Sequence, residues 1–459
     1  MRAEAVRRAA IGILLVAFGS CSDSTGPDRL YLGASLAPGP VNVLSAEATV
    51  RATGYRSTFL RYRRGDGTLV RTPAYAFGSD STARPALLGL HADTRYKVEV
   101  VLSDPGEVTA DTLDFTTGSL PAWVPRVTPV GTDTTPGYLI LSIPDGPVIV
   151  DNEGTVVWYR YDPDITLVNF QAQASGEYTT FGLTNDVRAY RVLDELGRET
   201  GRIRCVGYDT RPHEIRVLAD GRALAMCDDF RKEDLSPYGG SATADVNWTV
   251  IQLLAADGSL LWEWHTADHF DVTDTAATTL EGVTVLNLTH GNSLEIDTDG
   301  NYLFSFRNLN EVTKVDAVTG DVLWRWGGRR NEFTLLDDPK GSFQQQHGVR
   351  AVGPGVIQFL DNSYEAPSRL LRYTIDESAR TATLEWEYVD GPEVHTQVGG
   401  STQVYPDGGG LVSIGRAGRV VEVGASGHKR WELTGIDNLY VFRAQRIPSL
   451  SASERSGTP

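Results

Sequence analysis

Hydrophobic and polar positions alternate along most of the chain, in short runs bounded by Gly, Asp and Asn. A period of two with such boundaries predicts half-buried strands joined by tight turns. Residues 302–306 form one such run and deliver Arg307 at its end, and Asp299-Gly300-Asn301 before it is a hairpin signal. From Gly137 a longer pattern repeats: a strand, an Asp-Gly or Gly turn, then a strand carrying Trp. The turns at 151–154, 257–258 and 316–320 precede Trp158, Trp262 and Trp324. Asp376 precedes Trp386 and the turn at 424–427 precedes Trp431, while the copy at 194–197 has no Trp. Copies of about fifty residues suit four-stranded blades that bury their faces only by stacking around a ring. Each Trp is then a packing wedge between neighbours.

The expected fold is all-β: a six-bladed β-propeller over residues 137–448, preceded by a small β-sandwich over residues 30–118. The short runs at 48–52, 58–62, 96–101 and 112–116 supply the sandwich strands. The stretch from Leu90 to Tyr96 resembles the tyrosine corner of fibronectin type III domains, where a buried hydroxyl is tied to nearby backbone. Residues 119–136, rich in Pro and Thr, read as a linker, and 449–459 as a disordered tail. An array of sandwiches is the alternative, but it would lack the long repeat.

The chain has 459 residues and a formal charge of −17, which argues against a nucleic-acid surface. It has neither a phosphate-binding Gly-Lys loop nor a dinucleotide fingerprint. Residues 1–21 read as a signal peptide: Arg2, Arg7 and Arg8, then an apolar run, then Gly19-Ser20-Cys21. Small residues before Cys resemble the lipobox of bacterial lipoproteins, with Cys21 as the lipidated residue and 22–29 as tether. The expected location is therefore the periplasm or cell envelope, with membrane contact through a lipid only. The remaining cysteines, Cys205 and Cys227, are then expected to form a disulfide, two free thiols being the alternative.

The chain has eight histidines. His91 and His428 read as solvated. His265 and His269 have a spacing that suits a metal only on a helix, and no third ligand is evident. His213, His290 and His347 differ, because each opens the first long strand of a repeat. Equivalent positions in successive blades face one axial channel, where Arg307 joins them. His395, before Gly399-Gly400-Ser401, lines the same mouth, with Ser401 and Asn292 as candidate substrate-binding residues. A guanidinium offers a fixed fork of donors to an oxyanion. A neutral imidazole is a nucleophile toward sulfur or phosphorus.

These residues carry a resemblance to a known family. His290-Gly291-Asn292-Ser293, Ser305-Phe306-Arg307-Asn308, Trp324-Arg325-Trp326-Gly327-Gly328, Gln346-His347-Gly348 and Leu360-Asp361-Asn362 resemble the bacterial arylsulfotransferases. The resemblance covers roughly residues 137–445. It implies transfer of a sulfuryl group from a phenolic sulfate ester to a phenolic acceptor, without nucleotide sulfate, metal or other cofactor. It implies that His347 is the nucleophile, that His290 and Arg307 hold the sulfuryl oxygens, and that His213 is their partner. The family often has Asp directly after this His, where this chain has Gly348. A non-catalytic ligand- or protein-binding propeller and a sulfate or phosphate ester hydrolase are the competing functions.

Overall fold

The computed structural model describes residues 28–456, except 65–66, 164, 184–187 and 437–438. The expected signal peptide, Cys21 and most of the tether lie outside the described residues. The described chain is all-β. Six sheets of four or five strands, antiparallel but for two parallel pairings, span residues 128–447, and two further sheets of four and five strands precede them. Each sheet of the six begins with an inner strand: Thr166–Ala172, Asp209–Val217, Gly291–Ile296, His347–Gly353, Ser401–Val404 and Arg443–Ile447. Each inner strand touches the next, and the last touches the first, so the sheets form a closed, propeller-like ring. The closing strand Arg443–Ile447 pairs antiparallel with Tyr138–Ser142, so the two ends of the ring share one sheet.

Packing explains why the ring holds. Six apolar clusters each lie between two successive sheets. The repeated Trp residues sit on the fourth strand of their sheets: Trp158 on Val156–Tyr159, Trp262 on Leu260–His265, Trp324 on Val322–Gly327, Trp386 on Thr381–Tyr388 and Trp431 on Lys429–Thr434. They reach the next sheet as expected. Trp158 stacks on Phe170 with ring centres 5.0 Å apart, and Trp262 meets Tyr302 edge-on at 5.2 Å. Such aromatic pairs add about 0.5–1.5 kcal/mol each beyond area burial. The repeated Asp residues make the turns. Asp151, Asp257, Asp316 and Asp376 each accept the backbone N–H two residues on, the local bond that favours Asp in turns.

The N-terminal sheets pack around their own apolar cluster, which includes Leu60, Tyr96 and Val98. The Tyr96 hydroxyl accepts the His91 backbone N–H at 2.8 Å, the tie expected of a tyrosine corner. Three expectations need correction. His91 is not simply solvated: its Nε2 lies 3.2 Å from Asp151 Oδ2, linking the N-terminal sheets to the ring. The linker contributes a strand, Thr128–Val130, that extends the last sheet by pairing with Lys429–Thr434. The tail is ordered through 456, with a short helix Ala452–Arg455. Arg455 is buried there, donating to Tyr178 Oη at 2.8 Å and to the Gly176 carbonyl at 2.6 Å. Low-complexity polar sequence concealed that anchor.

Candidate active site

The inner strands run in a common direction, and their first residues gather at one mouth of the ring. His347 is the first residue of its strand, His290 directly precedes its strand, and His213 lies within Asp209–Val217 at a break in pairing. Nε2 of His290 faces Nε2 of His213 at 3.2 Å, so the two rings share one proton. Asn287 Nδ2 lies 2.7 Å from Nδ1 of His290. Nδ1 of His213 is buried without a hydrogen-bond partner. Buried polar atoms are rarely left so, and an orphan marks a candidate functional group. Asn169, His290 and Gln345 take positive φ of 53°, 49° and 55°. Strained backbone of this kind clusters where function requires it.

His347 is only 4% exposed. Its Nδ1 lies 2.7 Å from Asn362 Oδ1 and 2.9 Å from the Gln345 carbonyl. Both partners are acceptors, so Nδ1 carries the hydrogen and Nε2 keeps its lone pair. The Asn362 amide cannot turn over, because its nitrogen donates to the Thr396 and Gly399 carbonyls at 3.0 and 2.9 Å. Burial, then the Arg307 charge, lowers the His347 pKa to about 4 despite its two acceptors. The ring is neutral at neutral pH. Burial holds His213 and His290 well below the usual imidazole range as well. The Arg211 charge adds to this in both, and His213 itself adds in His290.

Arg307 lies in a 3-10 turn, Arg307–Leu309, just after strand Tyr302–Phe306. One terminal nitrogen donates to Asn308 Oδ1 and the other to the Gln397 carbonyl, both at 2.8 Å. These two bonds fix the plane of the fork. Its charge bears on all three imidazoles. Four of the expected residues, His213, His290, Arg307 and His347, thus gather at one mouth.

The other expected residues are committed elsewhere. Asn292 Nδ2 donates to the Gln346 carbonyl at 2.7 Å, bracing the backbone just before His347. The Ser401 hydroxyl lies 2.9 Å from that of Ser413 and is buried. His395 Nε2 lies 3.2 Å from the Ser363 carbonyl, beside Asn362. Gly348 has φ +64°, and a Cβ there would lie 2.7 Å from the Thr402 backbone nitrogen. This chain's backbone therefore excludes the Asp often found at that position.

Several residues of the site carry little sequence signal. Asn362 was visible only inside a motif. Gln346 binds Ser305 Oγ at 2.9 Å and the Glu311 carbonyl at 2.8 Å, joining the two sheets that carry His290 and His347. Arg443 donates to Asn169 Oδ1 at 2.6 Å and pairs with Glu214 at 3.0 Å. Arg350 pairs with the other Glu214 oxygen at 2.8 Å. These buried ion pairs cross the channel. Beyond them, at the opposite mouth, opens a cavity of about 500 Å³ lined by Arg216, Arg350 and Arg446 among others. The imidazoles and Arg307 lie at the other mouth.

Cys205 and Cys227 are disulfide-bonded. Asp228, next to Cys227, pairs with buried Arg211, whose charge acts on His213. No metal site forms at His265 and His269: His265 Nε2 binds Glu263 at 2.8 Å, and His269 stacks on Trp264. Among the described residues, the carboxylates of Asp297, Asp299 and Glu377 converge. The Lys314 ammonium fills that cluster at 2.6–2.8 Å.

The sequence pattern of the family described as arylsulfotransferase (ASST) matches residues 206–436, half of the chain. The chain belongs to the arylsulfotransferase family. Membership makes it a transferase and implies phenolic sulfate donors and phenolic acceptors. A search of curated proteins found no match. Similar solved structures include a protein of unknown function from Bacteroides caccae, with 14% identity over 66% of this chain and 97% of that one, TM-score 0.43. A streptogramin B lyase shows 11% identity over 67% and 86%, TM-score 0.39. Virginiamycin B lyase from Staphylococcus aureus shows 11% over 67% and 87%, TM-score 0.37. Among the described residues, no helix is long and apolar enough to cross a membrane.

Proposed function

We propose that this protein moves a sulfuryl group from a phenolic sulfate ester to a phenol through a sulfohistidine on His347. The observation that carries the reading is the state of His347: neutral, with Nδ1–H held by Asn362 and Gln345 and the Nε2 lone pair free. In the first half-reaction Nε2 attacks sulfur, an N–S bond forms, and the ester S–O bond breaks. The phenolate leaves with the electron pair and passes into solvent. Positive charge developing on the His347 ring is shared with the two oxygens that hold Nδ1. In the second half-reaction the neutral His213–His290 pair takes the proton of an acceptor phenol and later releases it to solvent, the phenol oxygen attacks sulfur, and the N–S bond breaks. Sulfuryl transfer, like phosphoryl transfer, spreads charge over equatorial oxygens, so fixed cationic donors carry much of the catalysis. Arg307 is that cationic donor, with the neutral His290 ring beside it. No nucleotide sulfate, metal or other cofactor takes part.

The catalytic unit in this reading is a six-bladed β-propeller over 137–448, following a fibronectin type III-like sandwich over 30–118 that spaces or docks it. The protein is exported, with a signal peptide over 1–21 and a lipid on Cys21; the disulfide is consistent with export. A 4-nitrophenyl sulfate assay tests the function. Phenol-dependent nitrophenol release is expected. Release that ignores phenol would mean a hydrolase, and no release would favour a binding module.

A further inference from the structure

The cavity of about 500 Å³ at the mouth opposite the imidazoles is lined by five arginines, Arg216, Arg350, Arg443, Arg446 and Arg455, and by one carboxylate, Glu295. That excess runs against the formal charge of −17 carried by the whole chain. Two of the five arginines have work elsewhere. Arg446 pairs with buried Glu422 at 2.5 Å, and Arg455 anchors the tail. The other three share two carboxylates among the described residues. Glu214 lies 2.8 Å from Arg350 and 3.0 Å from Arg443. Glu295 pairs with Arg216 and lies 3.6 Å from Arg350. One positive charge is therefore left over in the cavity wall.

Open donors lie with that charge. Arg216 spends Nε on the Leu294 carbonyl at 3.4 Å and Nη2 on Glu295. Arg443 spends Nε on Asn169 Oδ1 at 2.6 Å and Nη2 on the His213 carbonyl at 3.2 Å. Among the described residues, Nη1 of Arg216 and Nη1 of Arg443 donate to nothing. Neither atom is sealed inside protein, and both side chains line the cavity. Burial holds the Arg443 guanidinium below its usual range against the pull of Glu214, and the charges of Arg350 and Arg216 add to the depression. An anion placed beside such a group offsets both effects. The remaining wall is largely apolar and includes Val352, Val404, Pro406 and Ile447. Apolar walls with a few fixed polar groups are the composition of a small-molecule site. A guanidinium fork matches the two oxygens of a carboxylate.

We propose that this cavity binds one small organic carboxylate, its head on the under-compensated cluster of Arg216, Arg350 and Arg443 and its apolar body against Val352 and Val404. The Glu214 ion pairs separate this site from His347, so its ligand is distinct from any group held at the histidine mouth.

Hexanoate is the probe, because it has the charge and the apolar body but no sulfuryl group, and hexanol is its uncharged counterpart. Calorimetry on the unaltered protein should show one hexanoate bound per chain and hexanol bound far more weakly. Arg216→Gln should weaken hexanoate by about tenfold or more, the loss expected with a charge-assisted hydrogen bond. Val352→Asp sets a carboxylate in the wall and should weaken it as much; it decides the matter if the Gln variant fails to fold. Arg307→Lys, at the histidine mouth, should leave hexanoate binding unchanged. The site is overturned if the unaltered protein binds no hexanoate, if hexanol binds equally well, or if hexanoate binding survives both cavity variants. Binding lost in Arg307→Lys and kept in Arg216→Gln would move the anion to the histidine mouth and overturn it as well.

Discussion

Asn362 Oδ1 accepts the hydrogen on Nδ1 of His347 at 2.7 Å, while its own amide nitrogen is held by two backbone carbonyls. The amide is therefore a one-way acceptor, and it selects one tautomer of the ring. Replacing Asn362 by Leu leaves the tautomer to the Gln345 carbonyl alone. Removing a buried partner typically costs about 1–3 kcal/mol, and each 1.36 kcal/mol is tenfold in rate. We expect turnover to fall by about tenfold to hundredfold. Asn362→Asp should instead raise the His347 pKa through its negative charge, moving the acid limb of the rate profile to higher pH. An acid limb that stays in place in the Asp variant would remove Asn362 from this role.

Stability should depend on pH through the same ring. The folded-state pKa of His347 is depressed, to about 4 from 6.5. Above pH 6.5 both folded and unfolded states are neutral there, and nothing is lost. As pH falls below 6.5 the unfolded state binds the proton first, so folding stability declines until about pH 4, where both states bind it. Each unit of difference is worth 1.36 kcal/mol, so this group alone accounts for a loss on the order of 3 kcal/mol. His213 and His290, also depressed, add in the same direction. Urea midpoints measured from pH 8 to pH 4 should fall monotonically, and His347→Asn should flatten part of the slope. A midpoint that rises on acidification contradicts the assignment.

Arg307→Lys keeps the charge and loses the fork. The guanidinium is set by Asn308 on one nitrogen and Gln397 on the other, and a Lys ammonium cannot span both while also facing a ligand. Losing one transition-state contact of this kind costs about 100-fold to 1000-fold in rate. Turnover within a fewfold of the unaltered protein would place Arg307 outside the reacting centre.

The Cys205–Cys227 bond closes a loop with a sequence separation of 22. A cross-link of that kind typically contributes about 2–4 kcal/mol. The bridge ends beside Asp228, which pairs with Arg211, so its loss should lower both stability and turnover. Unfolding curves with and without reductant measure the first, and a Cys205→Ala/Cys227→Ala variant measures both. Unchanged curves would make the bridge dispensable.

The ring is legible in the sequence because its repeat is local: Asp turns and Trp wedges recur within one sheet's length of chain. The three site histidines are legible for the same reason, since His290 and His347 stand at the start of their inner strands, while His213 lies mid-strand rather than opening it. What surrounds them is not local. Arg443 meets Asn169 across 274 positions, and Glu214 meets Arg350 across 136. Only the closed ring brings such residues together, so no window of sequence reveals them. Ser401 lies against the Ser413 hydroxyl, His395 against the Ser363 carbonyl, and Asn292 Nδ2 on the Gln346 carbonyl, contacts that no local pattern shows. The tail failed for the converse reason: Arg455 finds its partners at Tyr178 and Gly176, far back in the chain.

The final prediction is a covalent sulfohistidine at His347. Three features support this residue over its neighbours. Its Nδ1 is bonded to two acceptors, so Nε2 must hold a lone pair. His213 and His290, by contrast, turn their Nε2 atoms on one another at 3.2 Å, which occupies the equivalent nitrogens with a shared proton. Cys205 and Cys227 are bonded to each other and offer no thiolate. A covalent intermediate requires ping-pong kinetics, in which the first phenol departs before the second binds. Double-reciprocal plots at several acceptor concentrations should therefore be parallel. Donor alone should add one sulfuryl group to the peptide containing His347, and phenol should remove it. His347→Asn should abolish both the adduct and turnover, with the circular dichroism of the fold retained. An adduct on His213 or His290 would move the nucleophile within the same mouth. Intersecting plots with no adduct on any histidine would exclude the covalent route and leave direct transfer from a sulfate ester to a phenol bound beside it.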